Sequence, residues 1–247
     1  MERMADVLVI DRRFQSWDGV AHGGYVAGLV GSRVGPAAEV TLRQAAPFDV
    51  PLSIAGNGDG QIALMEGDAV LARGEAADSS VELPDSVSFD EAAKLEWNHD
   101  TLTEHPTPHC FCCGYDRAKG DGLRVFPAPV PGRPLGQVVA PWVPDPAFAG
   151  PDGAVRPEYV WAALDCPGFW GMALSIAHMP NVITIRLAAS LHAEVRAEEP
   201  HVVMGWPISH HGRKFLCGSA IFGPDGDLTA VGRATWLQVR QLPDTSA

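Results

Sequence analysis

The chain has 247 residues, 46% of them hydrophobic and 19% charged, a composition that allows a packed core and argues against global disorder. A formal net charge of −12 argues against wrapping a nucleic-acid backbone, and no apolar run is long and charge-free enough to span a bilayer. Five cysteines, three of them crowded at Cys110, Cys112 and Cys113, do not make a disulfide framework, and the N-terminus lacks a signal-type apolar core. The expectation is a cytoplasmic protein with reduced thiols.

Residues Asp6 to Ile10 read as a short strand. His22-Gly23-Gly24 then opens a small apolar helix that stops at Gly35-Pro36. EVTLRQAAPFDVPLSIAG reads as two strands broken by Pro47 and Pro51, and GQIALMEG with DAVLARGEA as a hairpin turning at Gly67-Asp68. A short helix follows, with Ser88 as N-cap and Glu91 three residues on. The polar, turn-rich stretch around residue 110 reads as a boundary. GLRVFPA and LGQVVAPWV read as strands.

Next comes RPEYVWAALDCPGFWG, helical and apolar nearly all round, so other structure must wrap it. Asp165 is a lone acid in its middle. Pro167 lacks the N–H that would bond the carbonyl of Ala163, which predicts a kink or local disruption. VITIRLAAS, HVVMGWPIS, RKFLCGSAIF and LTAVGRATWLQV then read as strands.

Three landmarks recur in the same order in both halves. Tyr25-Val26 matches Tyr159-Val160, VTLRQAA from Val40 matches ITIRLAA from Ile183, and GDAVLARGEA from Gly67 matches GDLTAVGRA from Gly226. Each half is therefore a helix followed by an antiparallel meander that wraps it.

HGGYVAGL, TLRQAAPFDVPL, CFCCGYDRAKGDGL and VWAALD together make the sequence similar to the acyl-CoA thioesterase superfamily of the PaaI type, in a double-hotdog arrangement. The resemblance implies an α+β fold with two curved antiparallel sheets, each around a central helix. The expected division is residues 1–80 for the N-terminal hotdog, 81–108 for a linker with a short helix, and 109–247 for the C-terminal hotdog. It also implies hydrolysis of an acyl-CoA or related thioester without a cofactor, CoA being part of the substrate. Two such chains pairing as a homodimer is an assembly consistent with it.

In the family, H-G-G is followed by an acid nine residues after the His. The first Gly N–H holds the thioester oxygen, and the acid serves as base or nucleophile. Such a helix N-terminus offers free N–H groups and positive potential to an oxyanion. Here His22-Gly23-Gly24 is intact, but Gly31 stands where the acid would be. The second half has Asp165, but Arg156-Pro157-Glu158 replaces H-G-G, and Pro157 has no N–H. The losses are complementary. If the halves pack as a family dimer does, one composite site survives, with Asp165 as base or nucleophile and Gly23, assisted by Gly24, as oxyanion donor.

The alternative readings are a tight Gly turn before a helix and a satisfied structural acid. At the level of the whole protein they are a non-catalytic acyl-CoA-binding module and a hotdog hydratase or dehydratase. Further candidates for substrate contact are His22, Thr184, Trp161, Arg213 and Lys214. The plain counterparts are a turn neighbour for His22, a strand residue for Thr184, core for Trp161 and solvated surface for the Arg213-Lys214 pair. Cys110 and Cys113 have C-x-x-C spacing, with His105 and His109 close by. Zinc needs four ligands and no second such pair exists, so no metal is expected and buried small hydrophobes are the simpler reading. Cys166 has no His beside it in sequence, which argues against a nucleophile.

Overall fold

The computed structural model describes residues 6–56, 58–95, 106–176 and 181–242. Five strands, β1 (Asp6–Val9), β2 (Ala37–Leu42), β3 (Pro51–Gly56), β4 (Ile62–Glu66) and β5 (Ala69–Ala76), accompany helix α1 (Gly23–Val34). A short helix, α2 (Phe89–Ala92), carries the expected Ser88/Glu91 capping box. Beyond it lie β6 (Ala128–Pro129), β7 (Val138–Trp142), α3 (Pro157–Leu174), β8 (Val182–Leu191), β9 (His201–His211), β10 (Lys214–Phe222) and β11 (Leu228–Gln238). Among the described residues, no helix is long and apolar enough to cross a membrane.

The strands form one antiparallel sheet in the order β1-β3-β4-β5-β2-β8-β11-β10-β9-β7-β6. Apart from the terminal β6, this order is a palindrome. β2 corresponds to β8, β5 to β11, β4 to β10, β3 to β9 and β1 to β7. The halves meet at the β2–β8 pair, with Val40 opposite Leu187 and Thr41 opposite Arg186. These are the strands carrying the repeated VTLR and ITIR segments, so the landmark matched across the halves is also their seam.

Each half lays its helix on its own strands. α1 packs on β2, β4 and β5, and α3 on β9, β10 and β11. The helices also pack on each other. Gly24 meets Trp161, Ala162 and Asp165, while Gly28 meets Glu158 and Trp161, so they run antiparallel. The approach is close enough that a Cβ on Gly28 would lie 2.6 Å from Glu158 Cα. Covered by strands and by α1, α3 is buried at every residue from Tyr159 to Ala173, as its unbroken apolar circumference requires.

One local expectation is narrowed and one corrected. α3 stays helical from Pro157 to Leu174, so of the kink or disruption expected at Pro167 the disruption does not occur. The backbone there lies against β9, where a Cβ on Gly205 would fall 2.1 Å from Pro167 O. GLRVFPA is mostly not a strand. Leu123 N donates to Phe111 O at 2.8 Å and Val125 N to Cys112 O at 3.0 Å, so this backbone braces the cysteine segment instead of the sheet. Of it only the last residue, Ala128, joins the sheet, with Pro129 against β7. His105 lies outside the described residues.

Candidate active site

The antiparallel helix pair brings the middle of α3 to the start of α1. His22 caps α1, its Nδ1 accepting the Tyr25 N–H at 3.2 Å from an extended backbone (φ −63°, ψ 119°). The Gly24 N–H donates to Asp165 Oδ2 at 2.8 Å. The Thr184 hydroxyl, from β8, donates to Asp165 Oδ1 at 3.0 Å. The carboxylate is 2% exposed, so burial raises its pKa above the usual Asp value. His22, the Thr184 hydroxyl and the Gly24 N–H act in the opposite direction.

Asp165, Gly23, His22 and Thr184 border one cavity of about 420 Å3. Apolar groups supply much of the remaining wall, among them Trp17, Val26, Phe169, Ile183 and Trp236. The Gly23 N–H has no hydrogen-bond partner among the described residues. It sits at the first position of α1, where N–H groups lack intrahelical acceptors. Gly23 also abuts Thr184, whose Cβ would lie 3.0 Å from a Cβ placed there.

The other candidates fall elsewhere. Trp161 does not line the cavity. Its indole packs on Gly31 at the equivalent place in the other half, where Pro157 opens α3. Arg213 and Lys214 are exposed in the β9–β10 hairpin. They lie one strand away, Lys214 being paired with Leu237, which does reach the cavity. Arg43 and Gln44 border it too and went unnoticed in the sequence. The repeat offered a signal, since Arg43 is the counterpart of Arg186.

The largest departure from expectation concerns the thiols. Cys166 does have a histidine beside it, with His22 Nε2 3.2 Å from its Sγ. Cys110 Sγ lies 3.7 Å from Cys166 Sγ. Cys110, Cys112, Cys113 and Cys166 are all buried, and none is in a disulfide. His109 takes no part; it is half exposed and faces Asp116 at 3.6 Å. Burial pushes the remaining thiol, Cys217, up to about 12. Burial acts on Cys110 in the same sense, but hydrogen bonds from Cys113 and Cys166 and the nearby His22 bring it well below the usual thiol value. Burial opposes charge on His22, while Cys110, Cys112 and Asp165 favour it and raise its pKa. In the neutral ring the cap bond to Tyr25 makes Nδ1 the acceptor and leaves the proton on Nε2, facing sulfur; a second proton would go to Nδ1 and break that cap bond.

This architecture is the hotdog type of α+β fold. A conserved protein of unknown function with a hot dog fold from Alicyclobacillus acidocaldarius superposes with a TM-score of 0.63 at 10% identity, over 96% of this chain and 93% of the other. A tesB protein from Mycobacterium avium subspecies paratuberculosis gives 0.61 at 14% identity over 94% and 92% of the two chains. The acyl-CoA thioesterase II TesB2 of Mycobacterium marinum gives 0.59 at 16% identity over 90% and 92%. No protein-family model and no curated protein matches the sequence.

Proposed function

We propose that the chain is a double hotdog that hydrolyses an acyl-CoA or related thioester at one composite site between its halves. The observation carrying this reading is the 2.8 Å bond from Gly24 N–H to Asp165 Oδ2, which joins the acid of one half to the helix N-terminus of the other beside a shared cavity. The thioester oxygen accepts the Gly23 N–H, helped by the positive end of α1. Asp165 serves as general base toward water or as nucleophile toward the carbonyl carbon. Gly24 and Thr184 act as positioning residues by holding the two carboxylate oxygens. The apolar wall takes the acyl group, and Arg43 at the rim, with Arg213 and Lys214 further out, offers positive charge to CoA phosphates.

The test is release of free CoA from a panel of aliphatic and aromatic acyl-CoA esters, comparing the wild type with Asp165→Asn. Turnover lost in the variant supports the reading. Saturable CoA-ester binding without turnover in the wild type would replace it with a binding module. Equal turnover in both proteins would remove Asp165 from the chemistry.

A further inference from the structure

We propose that Cys110, Cys112, Cys113 and Cys166 form a tetrathiolate site for a thiophilic divalent cation, Zn2+, with the His22 Nε2–H as an outer hydrogen-bond donor to its sulfurs. This goes beyond the hydrolase reading and does not depend on it.

The four sulfurs come from two separate segments and the imidazole from a third. The Cys110, Cys113 and Cys166 sulfurs lie within 4.8 Å of one another. The Cys112 sulfur, the Cys166 sulfur and a His22 ring nitrogen form a second such group, so Cys166 belongs to both. A zinc ion with Zn–S bonds of about 2.3 Å in tetrahedral geometry sets its sulfurs about 3.8 Å apart. The Cys110–Cys166 separation is 3.7 Å. Cys112 is not within that distance of both Cys110 and Cys113, so its side chain turns to complete the tetrahedron, and Cys217 lies outside both groups.

The backbone holds the cysteine segment in a metal-binding turn. The Gly114 N–H donates to Cys110 O at 2.9 Å, closing a tight C-x-x-C-G turn. A Cβ at Gly114 would lie 2.5 Å from Cys110 N, so only glycine fits. Phe111 N donates to Gln15 O at 2.7 Å, and the Leu123 and Val125 N–H bonds already described clamp the next residues. The Phe111 side chain packs against Phe14, Tyr25, Phe148 and Tyr159. The segment is thus fixed before any ion arrives.

The cap bond decides the role of His22. A histidine that ligates through Nε2 needs its proton on Nδ1, but Nδ1 already accepts the Tyr25 N–H. His22 is therefore a donor to thiolate, which leaves the sulfurs as the ligands. Zinc suits an all-thiolate tetrahedral set, and each thiol that ligates releases its proton. Sequence spacing does not display this set, because Cys166 is 56 positions from Cys110.

The experiment is elemental analysis of the full chain purified under reducing conditions in Zn2+-supplemented buffer, followed by Co2+ substitution. About one zinc per chain and a sulfur-to-cobalt charge-transfer band are expected. Cys110→Ser and Cys113→Ser should each lose most of the bound metal, while Cys217→Ser, outside the cluster, should keep it. Should the cluster variants fail to fold, the wild-type cobalt band decides, because its intensity reports the number of coordinating thiolates. No stoichiometric metal, or a cobalt spectrum without thiolate bands, would each overturn the proposal.

Discussion

Gly31 and Trp161 claim the same volume: a Cβ on Gly31 would lie 2.4 Å from Trp161 Cζ2. In the proposed composite site the equivalent of Gly31 is Asp165, and the equivalent of Trp161 is the small Ala27. Trp161 is fully buried and fills the place where a second site would open. Gly31→Ala should therefore cost about 1–3 kcal/mol through overpacking, and Trp161→Ala about 3–5 kcal/mol through a cavity. The double variant should cost less than the sum, because each change makes room for the other. Urea unfolding of the four proteins checks this; strict additivity would mean the two residues do not compete.

Asp165→Asn should lower kcat by about 10²- to 10⁴-fold. The fold should survive, since the amide oxygen can still accept the Gly24 N–H and the Thr184 hydroxyl can turn to accept from the amide nitrogen. Thermal unfolding followed with the acyl-CoA assay separates the two effects. Collapse of the fold would show instead that the acid is structural.

The Gly23 N–H can be deleted with little change of backbone. Proline is accepted at the first position of a helix, and Pro157 already occupies it in α3. His22 has the extended conformation that precedes proline well. Gly23→Pro should cost about 10²- to 10³-fold in kcat. Gly23→Ala adds a Cβ near Thr184 but keeps the N–H, so it should lose far less. Equal losses in the two variants would assign the effect to crowding.

Thr184→Val removes a buried hydrogen bond to a carboxylate. About one order of magnitude in kcat should be lost, with KM nearly unchanged and activity restored by Thr184→Ser. A change confined to KM would place Thr184 against the substrate instead.

His201 is 1% exposed beside Trp142, with Nδ1 facing Glu199 O at 2.9 Å. Burial holds its pKa below the usual histidine value. Below pH about 6.5 the unfolded chain takes up a proton that the folded chain refuses. This contribution to stability is present above that pH and is lost as pH falls toward the folded value. His201→Gln should flatten the difference in urea midpoint between pH 7.5 and pH 5.5. An unchanged slope would show that His201 is not the group responsible.

Much of the architecture was readable because repeats leave ordered traces. The match of VTLRQAA to ITIRLAA anticipated equivalent strands, and the cap at Ser88 and the turn at Gly67-Asp68 are local signals decided by neighbouring residues. The complementary losses at Gly31 and Pro157 were visible as a spacing. What could not be read depends on contacts between distant segments. His22 and Cys166 are 144 positions apart and meet only because the helices are antiparallel. Thr184 read as a substrate contact or a plain strand residue, and only the fold shows β8 setting its hydroxyl against Asp165. GLRVFPA had strand composition, but composition does not say which backbone a strand will meet, and here it met Phe111 and Cys112.

The β2–β8 seam has an evolutionary consequence. In a homodimer of identical subunits every substitution is made twice, so losing the helix-capping glycine in one site loses it in both. With the two halves on one chain, a proline at residue 157 and a tryptophan at residue 161 are written once. The place around Gly31 can then be filled while the proposed site at Gly23 and Asp165 keeps its own residues.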